Sequence, residues 1–445
     1  MNKRRFLVIL MVLLLLPLIA ACGDDETEEP TPTQTPIDSP MASPTLEPTA
    51  TAETPTPERT FEPTQTPVVK EIPVGPEGDA FYVPPDPLPE GKPGDIIWAR
   101  ELESPAGAKA WLVLYRSTSS LGDPIVISGW IVAPEGTAPE DGWPILAWAH
   151  GTTGIADKCA PTRGSLGGGG VGWDSIAYLD EFISAGYIVA STDYEGVGTP
   201  GPGTYTTGPS EAYAVLDSTR AAIDLDIGAS DMVVAFGRSQ GGHAAAFANE
   251  YATEYAPDLE LVGIVGSGPG VVPSAVTMID WMKKTEFRGY LIMGIAATEY
   301  AFGEHAPASD YLTERCLEEL YILEEGCGVE IPEHFNNIPW EELFLEEPVI
   351  TPGRAEWEAK NEVGHRIGAA PVLLVHGSAD PLIPAGIVLS YAEKTCELGQ
   401  ENQLIFYPDA GHVPAVESKD DVLSWIADRF AGEPASCNCD NLPEP

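Results

Sequence analysis

A serine flanked by glycines lies near the middle of the chain, between an apolar run at 232–236 and a helix-like segment at 244–251. The stretch reads Gly237-Arg238-Ser239-Gln240-Gly241. A strand, a sharp turn and a helix form the context of a G-x-S-x-G nucleophile elbow, in which a strained turn lifts the serine hydroxyl out of the backbone. Glycines on both sides permit that turn and leave room for neighbouring elements. The stretch therefore predicts an accessible serine between a strand and a helix.

Short apolar runs alternate with helix-like segments over most of the chain from about residue 95. The predicted strands are 111–115, 125–132, 145–149, 187–190, 232–236, 261–265, 371–375 and 403–407. The predicted helices are 173–185, 210–225, 244–251, 385–396 and 421–430, with Ser210 as the expected N-cap of the second. This alternation predicts a mostly parallel central sheet flanked by helices, which is the α/β class.

The alternation stops after Gly270. Residues 271–360 contain helical stretches and many aromatic side chains, but no strand-turn-helix rhythm. We therefore expect a helical cap inserted over the carboxyl edge of the sheet, where the active sites of α/β proteins lie. The α/β core would then consist of residues 79–270 and 361–445.

The N-terminus carries the pattern of an export signal. Lys3, Arg4 and Arg5 precede an apolar stretch at 6–19 that is short for a membrane span. The next residues, Ile19-Ala20-Ala21-Cys22, resemble a bacterial lipobox. Residues 1–21 are thus predicted to be a lipoprotein signal peptide, with Cys22 carrying lipid as the mature N-terminus. The alternative is an ordinary secretory peptide followed by a chance cysteine.

Residues 22–78 are rich in Thr, Pro and acidic side chains and have little apolar surface to bury, so we expect a disordered tether. These features predict a location outside the cytoplasm, either anchored to the cell membrane by lipid or secreted. Acyl chains attach a protein to a membrane surface without spanning it.

The charge of the chain is strongly one-sided, with 23 Lys and Arg against 68 Asp and Glu and a formal net charge of −45. A nucleic-acid partner is excluded, because its phosphates would be repelled at long range. Neutral substrates such as esters or lipids suit this surface, although an acidic surface also serves solubility alone. The sequence leaves the oligomeric state open.

Three side chains follow the order of an α/β-hydrolase triad, namely Ser239, Asp380 and His412. A serine hydroxyl needs a base to take its proton, and the base needs an acid to orient it. Each of the three comes directly after, or a few residues after, a predicted strand, so all should lie at one edge of the sheet. Asp409 is the alternative acid, and His376 is predicted to be structural, with its imidazole bonded to the backbone.

The reaction also needs donors for the negative charge that develops on the attacked carbonyl oxygen. We expect the backbone N–H of Gln240, next to the nucleophile, and that of Thr152, in the loop 150–154 after the third strand. The remaining histidines lack metal-ligand spacing, so neither a metal nor a cofactor is expected. The glycine run at 167–170 is not followed by the Lys-Ser/Thr of a phosphate loop and is predicted to be a flexible loop.

Four stretches of the chain resemble the secretory lipase family. They are His150-Gly151-Thr152-Thr153-Gly154, Cys159-Ala160-Pro161-Thr162, Asp193-Tyr194-Glu195-Gly196-Val197-Gly198-Thr199-Pro200-Gly201 and Gly237-Arg238-Ser239-Gln240-Gly241-Gly242. The resemblance covers about residues 95 to 430 and implies an α/β-hydrolase with a helical cap before the acid-bearing strand. It also implies ester hydrolysis through Ser239, Asp380 and His412. The lipobox and the tether are not part of that family's pattern.

Six cysteines follow Cys22: Cys159, Cys316, Cys327, Cys396, Cys437 and Cys439. An even number in an exported protein predicts up to three disulfides. Cys316 and Cys327 could pair within the cap, or one of them could pair with Cys159 and fix the cap to the core. Cys396 could pair with either of the last two cysteines.

The sequence therefore predicts a serine hydrolase of carboxylic esters, a lipase or an esterase acting on triacylglycerols or shorter acyl esters through an acyl-enzyme. A peptidase or amidase and an acyltransferase on the same scaffold remain alternatives. A non-catalytic surface-binding lipoprotein is a further alternative, against which the intact triad argues. The acyl chain length, the alcohol and any activation at a lipid interface stay open.

Overall fold

The computed structural model describes residues 71–164, 175–272 and 275–445. The predicted signal peptide, Cys22, the glycine run at 167–170 and the predicted tether as far as residue 70 lie outside the described residues.

A single sheet of nine strands organises the described part of the chain. The strands are β1 (Ile96–Leu102), β2 (Ala108–Thr118), β3 (Pro124–Pro134), β4 (Trp143–Ala149), β5 (Ile188–Ser191), β6 (Ala229–Arg238), β7 (Glu260–Ser267), β8 (Val372–Gly377) and β9 (Asn402–Tyr407). Their order across the sheet is β1-β2-β3-β5-β4-β6-β7-β8-β9. The first three are antiparallel neighbours and β3 is antiparallel to β5, whereas every later pair is parallel. The predicted fold class is confirmed.

Helices follow each strand from β4 to β9. They are α1 (Pro161–Gly164), α2 (Leu179–Ser184), α3 (Gly208–Asp224), α4 (Gln240–Tyr255), α5 (Ala275–Met282), α6 (Arg288–Phe302), α7 (Glu314–Glu318), α8 (Ile322–Glu325), α9 (Glu330–Asn336), α10 (Trp340–Leu343), α11 (Pro352–Lys360), α12 (Ala385–Glu397) and α13 (Lys419–Phe430). Short 3-10 helices occupy Gly78–Tyr82, Asp157–Cys159, Gly303–His305, Ala308–Asp310 and Cys439–Asn441. Among the helices of the described residues, none combines the length and the hydrophobicity needed to cross a bilayer.

The central strands of the sheet are buried on both faces. Their successive side chains point to opposite sides, and helices cover each side. On β4, Ile145 and Ala147 join an apolar cluster that includes residues of α3, α4 and α12. Leu146 and Trp148 of the same strand join a second cluster with residues of α2 and α13. The near-continuous apolar run of β4 is therefore the sequence pattern of a strand buried on both sides.

Seven helices, α5 to α11, lie between β7 and β8 and occupy most of the stretch predicted to be a cap. They have an apolar cluster of their own, in which Ile292, Tyr311, Leu323 and Phe335 are fully buried. The domain boundaries 271 and 360 stay a prediction.

The N-cap of α3 and the presence of β1 differ from the sequence predictions. Helix α3 begins at Gly208 with Thr207 as its N-cap, and Ser210 lies inside the first turn. The physical reason is that Pro209, with its fixed φ, suits the start of a helix, while the Ser210 hydroxyl donates to the Glu195 carboxylate instead. Strand β1 was not predicted from its sequence, in which apolar and polar residues do not alternate cleanly.

Two disulfides resolve the alternatives that the sequence left open. Cys159 pairs with Cys327 and fixes the loop after β4 to the segment between α8 and α9. Cys396 at the end of α12 pairs with Cys439. Cys316 is buried and Cys437 is exposed, and both are free thiols, so the third disulfide allowed by the count is not formed.

We expect the double substitution Cys159→Ser and Cys327→Ser to lower the free energy of unfolding by about 2–5 kcal/mol, because the disulfide closes a loop of 168 residues. Thermal unfolding of the oxidised proteins measures the difference. The substitution Cys437→Ser removes an exposed free thiol and is the matched control, with a Tm equal to that of the unsubstituted protein. A double variant as stable as the oxidised parent would contradict the expectation.

Candidate active site

Ser239 occupies a strained turn between β6 and α4, with φ 56° and ψ −114°. A positive φ is uncommon for any residue other than glycine and costs on the order of 1–3 kcal/mol. Two backbone hydrogen bonds hold the turn. The N–H of Ser239 donates to the carbonyl of Ser267 at 2.9 Å, and its own carbonyl accepts from the N–H of Gly270 at 3.0 Å. The end of β7 thus braces the elbow predicted from the sequence.

The glycines around Ser239 are required by close backbone contacts. A Cβ at Gly237 would lie 1.9 Å from the carbonyl oxygen of Gly241. A Cβ at Gly241 would lie 1.9 Å from the carbonyl oxygen of Ala149, at the end of β4. Both distances are far below a van der Waals contact, so these two positions accept no other residue without a shift of the backbone.

The loops after β8 and β9 bring Asp380 and His412 to Ser239. Nε2 of His412 lies 2.8 Å from Oγ of Ser239, and Nδ1 of His412 lies 2.7 Å from Oδ2 of Asp380. Asp409, the alternative acid, is exposed, and its backbone N–H donates to the hydroxyl of Ser378. The structure therefore joins His412 to Asp380, in the order and at the sheet edge that the sequence predicts.

The Asp380 carboxylate is fully buried and well supplied with donors. Oδ1 accepts from the backbone N–H of Leu382 at 2.7 Å and from that of Ile383 at 2.9 Å. Burial raises the pKa of Asp380, but the hydrogen bond and charge of His412, together with these two amides, outweigh it and hold the pKa below its ordinary value. Asp380 is thus a carboxylate that can orient His412 and stabilise its positive charge.

His376 lies beside this carboxylate at the end of β8. Its Nε2 is 3.0 Å from the carbonyl oxygen of Ile383 and 3.6 Å from Oδ2 of Asp380. Burial lowers its pKa, which leaves it a neutral donor at neutral pH. The predicted hydrogen bond of this imidazole to the backbone is confirmed.

The loop after β4 runs alongside Ser239. A Cβ at Gly151 would lie 3.6 Å from the Cβ of Ser239. His150, at the start of the loop, is buried, and its Nδ1–H donates to the Gly151 carbonyl at 2.7 Å. Burial lowers the pKa of His150 to about 4, so this imidazole adds no positive charge at neutral pH. The structure thus brings the loop that contains Thr152 to Ser239, while the oxyanion roles of the Thr152 and Gln240 amides stay predictions.

A cavity of about 140 Å³ opens at Ser239. The core contributes Gln240, His243, Leu382 and Ile383, among others, to its wall. The inserted helices contribute Met278, Met282, Leu291, Ile295 and Trp357. The wall is mostly apolar, so it suits a hydrocarbon chain next to Ser239. Among the described residues, no group of three or more His, Cys, Asp and Glu side chains is arranged to hold a metal ion.

Two polar residues near the elbow were missed by sequence reasoning. Glu211 lies in the first turn of α3 and accepts hydrogen bonds from Gln240 and His243. Tyr205 contributes to the cavity wall, and its hydroxyl is 3.0 Å from Oγ1 of Thr152. A signal for Glu211 exists, because the helical period puts it on one face with Val215 and Ala222, where a charged side chain is unusual.

Comparison with known proteins identifies relatives over most of the chain. The model of a family described as secretory lipase matches residues 171–438. A probable inactive lipase of Mycobacterium tuberculosis is 26% identical over 82% of this chain and 84% of its own length. A secreted triacylglycerol lipase of Malassezia globosa is 24% identical over 80% of this chain and 79% of its own.

Solved structures share the fold. Candida antarctica lipase A in its closed state has a TM-score of 0.68 and 22% identity, covering 79% of this chain and 86% of its own. The rice cell wall degrading esterase of Xanthomonas oryzae, in a ligand-bound form, has a TM-score of 0.63 and 18% identity. The match covers 77% of this chain and 100% of the esterase chain.

We expect Gly241→Ala to destabilise the elbow by about 1–3 kcal/mol or more, because the new methyl group would meet the Ala149 carbonyl oxygen at 1.9 Å. Thermal unfolding gives the stability, and labelling of Ser239 by a fluorophosphonate reports the geometry of the elbow. Gly386→Ala is the control, since a Cβ there meets nothing within 4 Å. Equal Tm values and equal labelling rates for the two variants would contradict the close packing of the elbow.

Proposed function

The chain belongs to the secretory lipase family, and from this premise we propose that it hydrolyses carboxylic esters of lipids with Ser239 as the nucleophile. The family acts on lipid or ester substrates, and the enzyme is a carboxylic-ester hydrolase. The observation that supports the assignment of residues is the continuous chain of hydrogen bonds from Ser239 through His412 to Asp380, at 2.8 and 2.7 Å.

In the proposed reaction Nε2 of His412 takes the proton of the Ser239 hydroxyl as Oγ attacks the acyl carbonyl carbon. Asp380 accepts the Nδ1–H of His412, fixes its tautomer and stabilises the imidazolium. The imidazolium then gives its proton to the leaving alcohol, and an acyl-enzyme remains. Water, deprotonated by His412, attacks this ester, and the fatty acid leaves as the proton returns to Ser239.

The negative charge of each tetrahedral intermediate needs donors fixed in advance. We assign them to the backbone N–H groups of Gln240 and Thr152. Gln240 is the first residue of α4, whose N-terminus also carries the positive end of the helix dipole. The close approach of Gly151 to Ser239 supports the participation of the neighbouring Thr152.

The substrate is proposed to be a neutral acyl ester, with triacylglycerol or a shorter acyl ester as the class. The mostly apolar wall beside Ser239 supports an acyl chain, and the net charge of −45 disfavours anionic substrates. An acyltransferase would use an alcohol in place of water, and an amidase would release an amine. The Mycobacterium tuberculosis relative is named a probable inactive lipase. The experiment on Ser239 therefore also tests whether the protein is a non-catalytic binder.

Secreted relatives and two disulfides indicate that the protein is exported from the cytoplasm. We propose in addition that lipid on Cys22 anchors the enzyme to the outer face of a membrane. In this arrangement the stretch 22–78 is the tether, residues 79–270 and 361–445 form the core, and 271–360 form the cap. The lipobox-like stretch before Cys22 is the supporting observation.

Ser239→Ala is expected to lower kcat for p-nitrophenyl esters by about 10⁴-fold or more, because the nucleophile is removed while binding remains. Initial rates over a series of acyl chain lengths, with fluorophosphonate labelling of the unsubstituted enzyme, provide the measurement. Ser218→Ala is the control, since that hydroxyl donates within α3 to the Val215 carbonyl. Unchanged hydrolysis in Ser239→Ala would contradict the assignment of Ser239 as the nucleophile. A parent protein that is neither labelled nor active would be a non-catalytic binder.

Cys22→Ser is expected to remove the N-terminal lipid, because the acyl chains are attached to the thiol that this substitution deletes. Fractionation and mass spectrometry of the mature N-terminus measure the outcome. Cys437→Ser, the variant of an exposed free thiol, should stay in the membrane fraction. A parent protein with unmodified Cys22, or a Cys22→Ser protein that still carries the lipid, would contradict the anchor.

A further inference from the structure

The Glu211 carboxylate is fully buried below the elbow and binds three donors. Its Oε1 accepts from the side-chain amide of Gln240 at 2.7 Å and from the backbone N–H of Thr206 at 2.9 Å. Its Oε2 lies 2.7 Å from Nδ1 of His243, which donates because an ionised carboxylate can only accept. Burying a charge is costly unless such donors compensate for it, so this carboxylate fixes the positions of all three.

All three donors belong to the wall of the catalytic cavity. Thr206, Gln240 and His243 line it together with Ser239. Gln240 and His243 lie in the first turn of α4, directly after the nucleophile. Glu211 therefore holds the turn of backbone from which the proposed oxyanion donor of Gln240 points.

The same carboxylate also holds the segment that contacts the second proposed donor loop. Thr206 has a φ of 50°, and the hydrogen bond from its N–H to Glu211 supports this uncommon conformation. The preceding residue, Tyr205, lies with its hydroxyl 3.0 Å from Oγ1 of Thr152. One buried side chain is thus connected to both proposed oxyanion residues, to Gln240 directly and to Thr152 through Tyr205.

We propose that Glu211 is the positioning residue of the oxyanion pocket. It contacts neither the substrate nor the reacting atoms, and it sets the orientation of the amides that stabilise the tetrahedral intermediate. This inference rests on the proposed function. Small errors in the placement of such donors cost rate in the transition state much more than they cost substrate binding.

The test compares Glu211→Met, which removes every acceptor at similar length, with Glu211→Gln, which keeps an acceptor for Gln240 and Thr206. The matched control is Asp217→Leu on the same helix. Asp217 is also fully buried and hydrogen-bonded, but its partners are Ser117, Tyr255 and Arg220, which do not line the cavity. All rates are normalised to the concentration of sites that a fluorophosphonate titrates, so that misfolded protein is not counted.

Three quantities are measured for each variant: kcat and KM for a p-nitrophenyl ester, the Ki of an alkyl trifluoromethyl ketone, and the Ki of an ether of equal chain length. The ketone forms a tetrahedral adduct with an oxyanion, whereas the ether mimics the ground state. For Glu211→Met we expect kcat and the affinity for the ketone to fall in parallel by about 10- to 100-fold, with KM and the ether affinity within threefold of the parent.

Glu211→Gln should regain most of the lost kcat, and Asp217→Leu should lose stability but keep kcat. The inference is overturned if Glu211→Met keeps kcat within threefold, if the ketone and ether affinities fall equally, or if the Asp217 variant loses the same kcat. Should Glu211→Met fail to fold, Gln240→Met removes the hydrogen bond between the two side chains at its donor end. This variant must lower kcat and leave KM within threefold of the parent. Failure of the proposed function itself is seen separately, as hydrolysis that persists in Ser239→Ala or as a parent protein that is neither labelled nor active.

Discussion

Hydrogen bonds to Ser267 and Gly270 hold the backbone of Ser239 at a positive φ, and the surrounding strands and helices are arranged to keep it there. The turn can exist only if β6 and β7 are neighbours in one sheet and α4 starts directly behind the serine. It also requires that no side chain extends from Gly237 or Gly241 into the crowded space. A large buried sheet with helices on both faces supplies the rigidity that keeps such a conformation in place.

The geometry of the candidate site follows from the topology of this sheet. Strands β4, β6, β7, β8 and β9 are parallel neighbours, so their carboxyl ends meet at one edge. For this reason the sequence alone could predict that Ser239, Asp380 and His412 lie together, since each follows an apolar run in the expected order. The structure adds the distances, and it selects Asp380 over Asp409, because Asp380 is hydrogen-bonded to His412 whereas Asp409 is exposed.

Other parts of the site could not be predicted, because they depend on contacts between segments far apart in the chain. The local sequence does not explain a charged side chain at Glu211, on the apolar face of a helix. Its donors are the Thr206 backbone N–H and two side chains in the first turn of α4. The partner of Cys327 depends on how the inserted helices meet the loop after β4, which no local pattern encodes. Ser210 failed as an N-cap because its hydroxyl had a tertiary partner, Glu195, that outweighed the local preference.

The disulfide between Cys159 and Cys327 has a consequence for the covalent connectivity of the enzyme. It closes a ring of chain that contains Ser239 and the first inserted helices, while Asp380 and His412 lie outside the ring. A single protease cut anywhere between the two cysteines therefore opens the ring without dividing the molecule. Ser239 stays covalently joined to His412 and Asp380, whereas a cut between 327 and 380 separates them into two pieces held by packing alone.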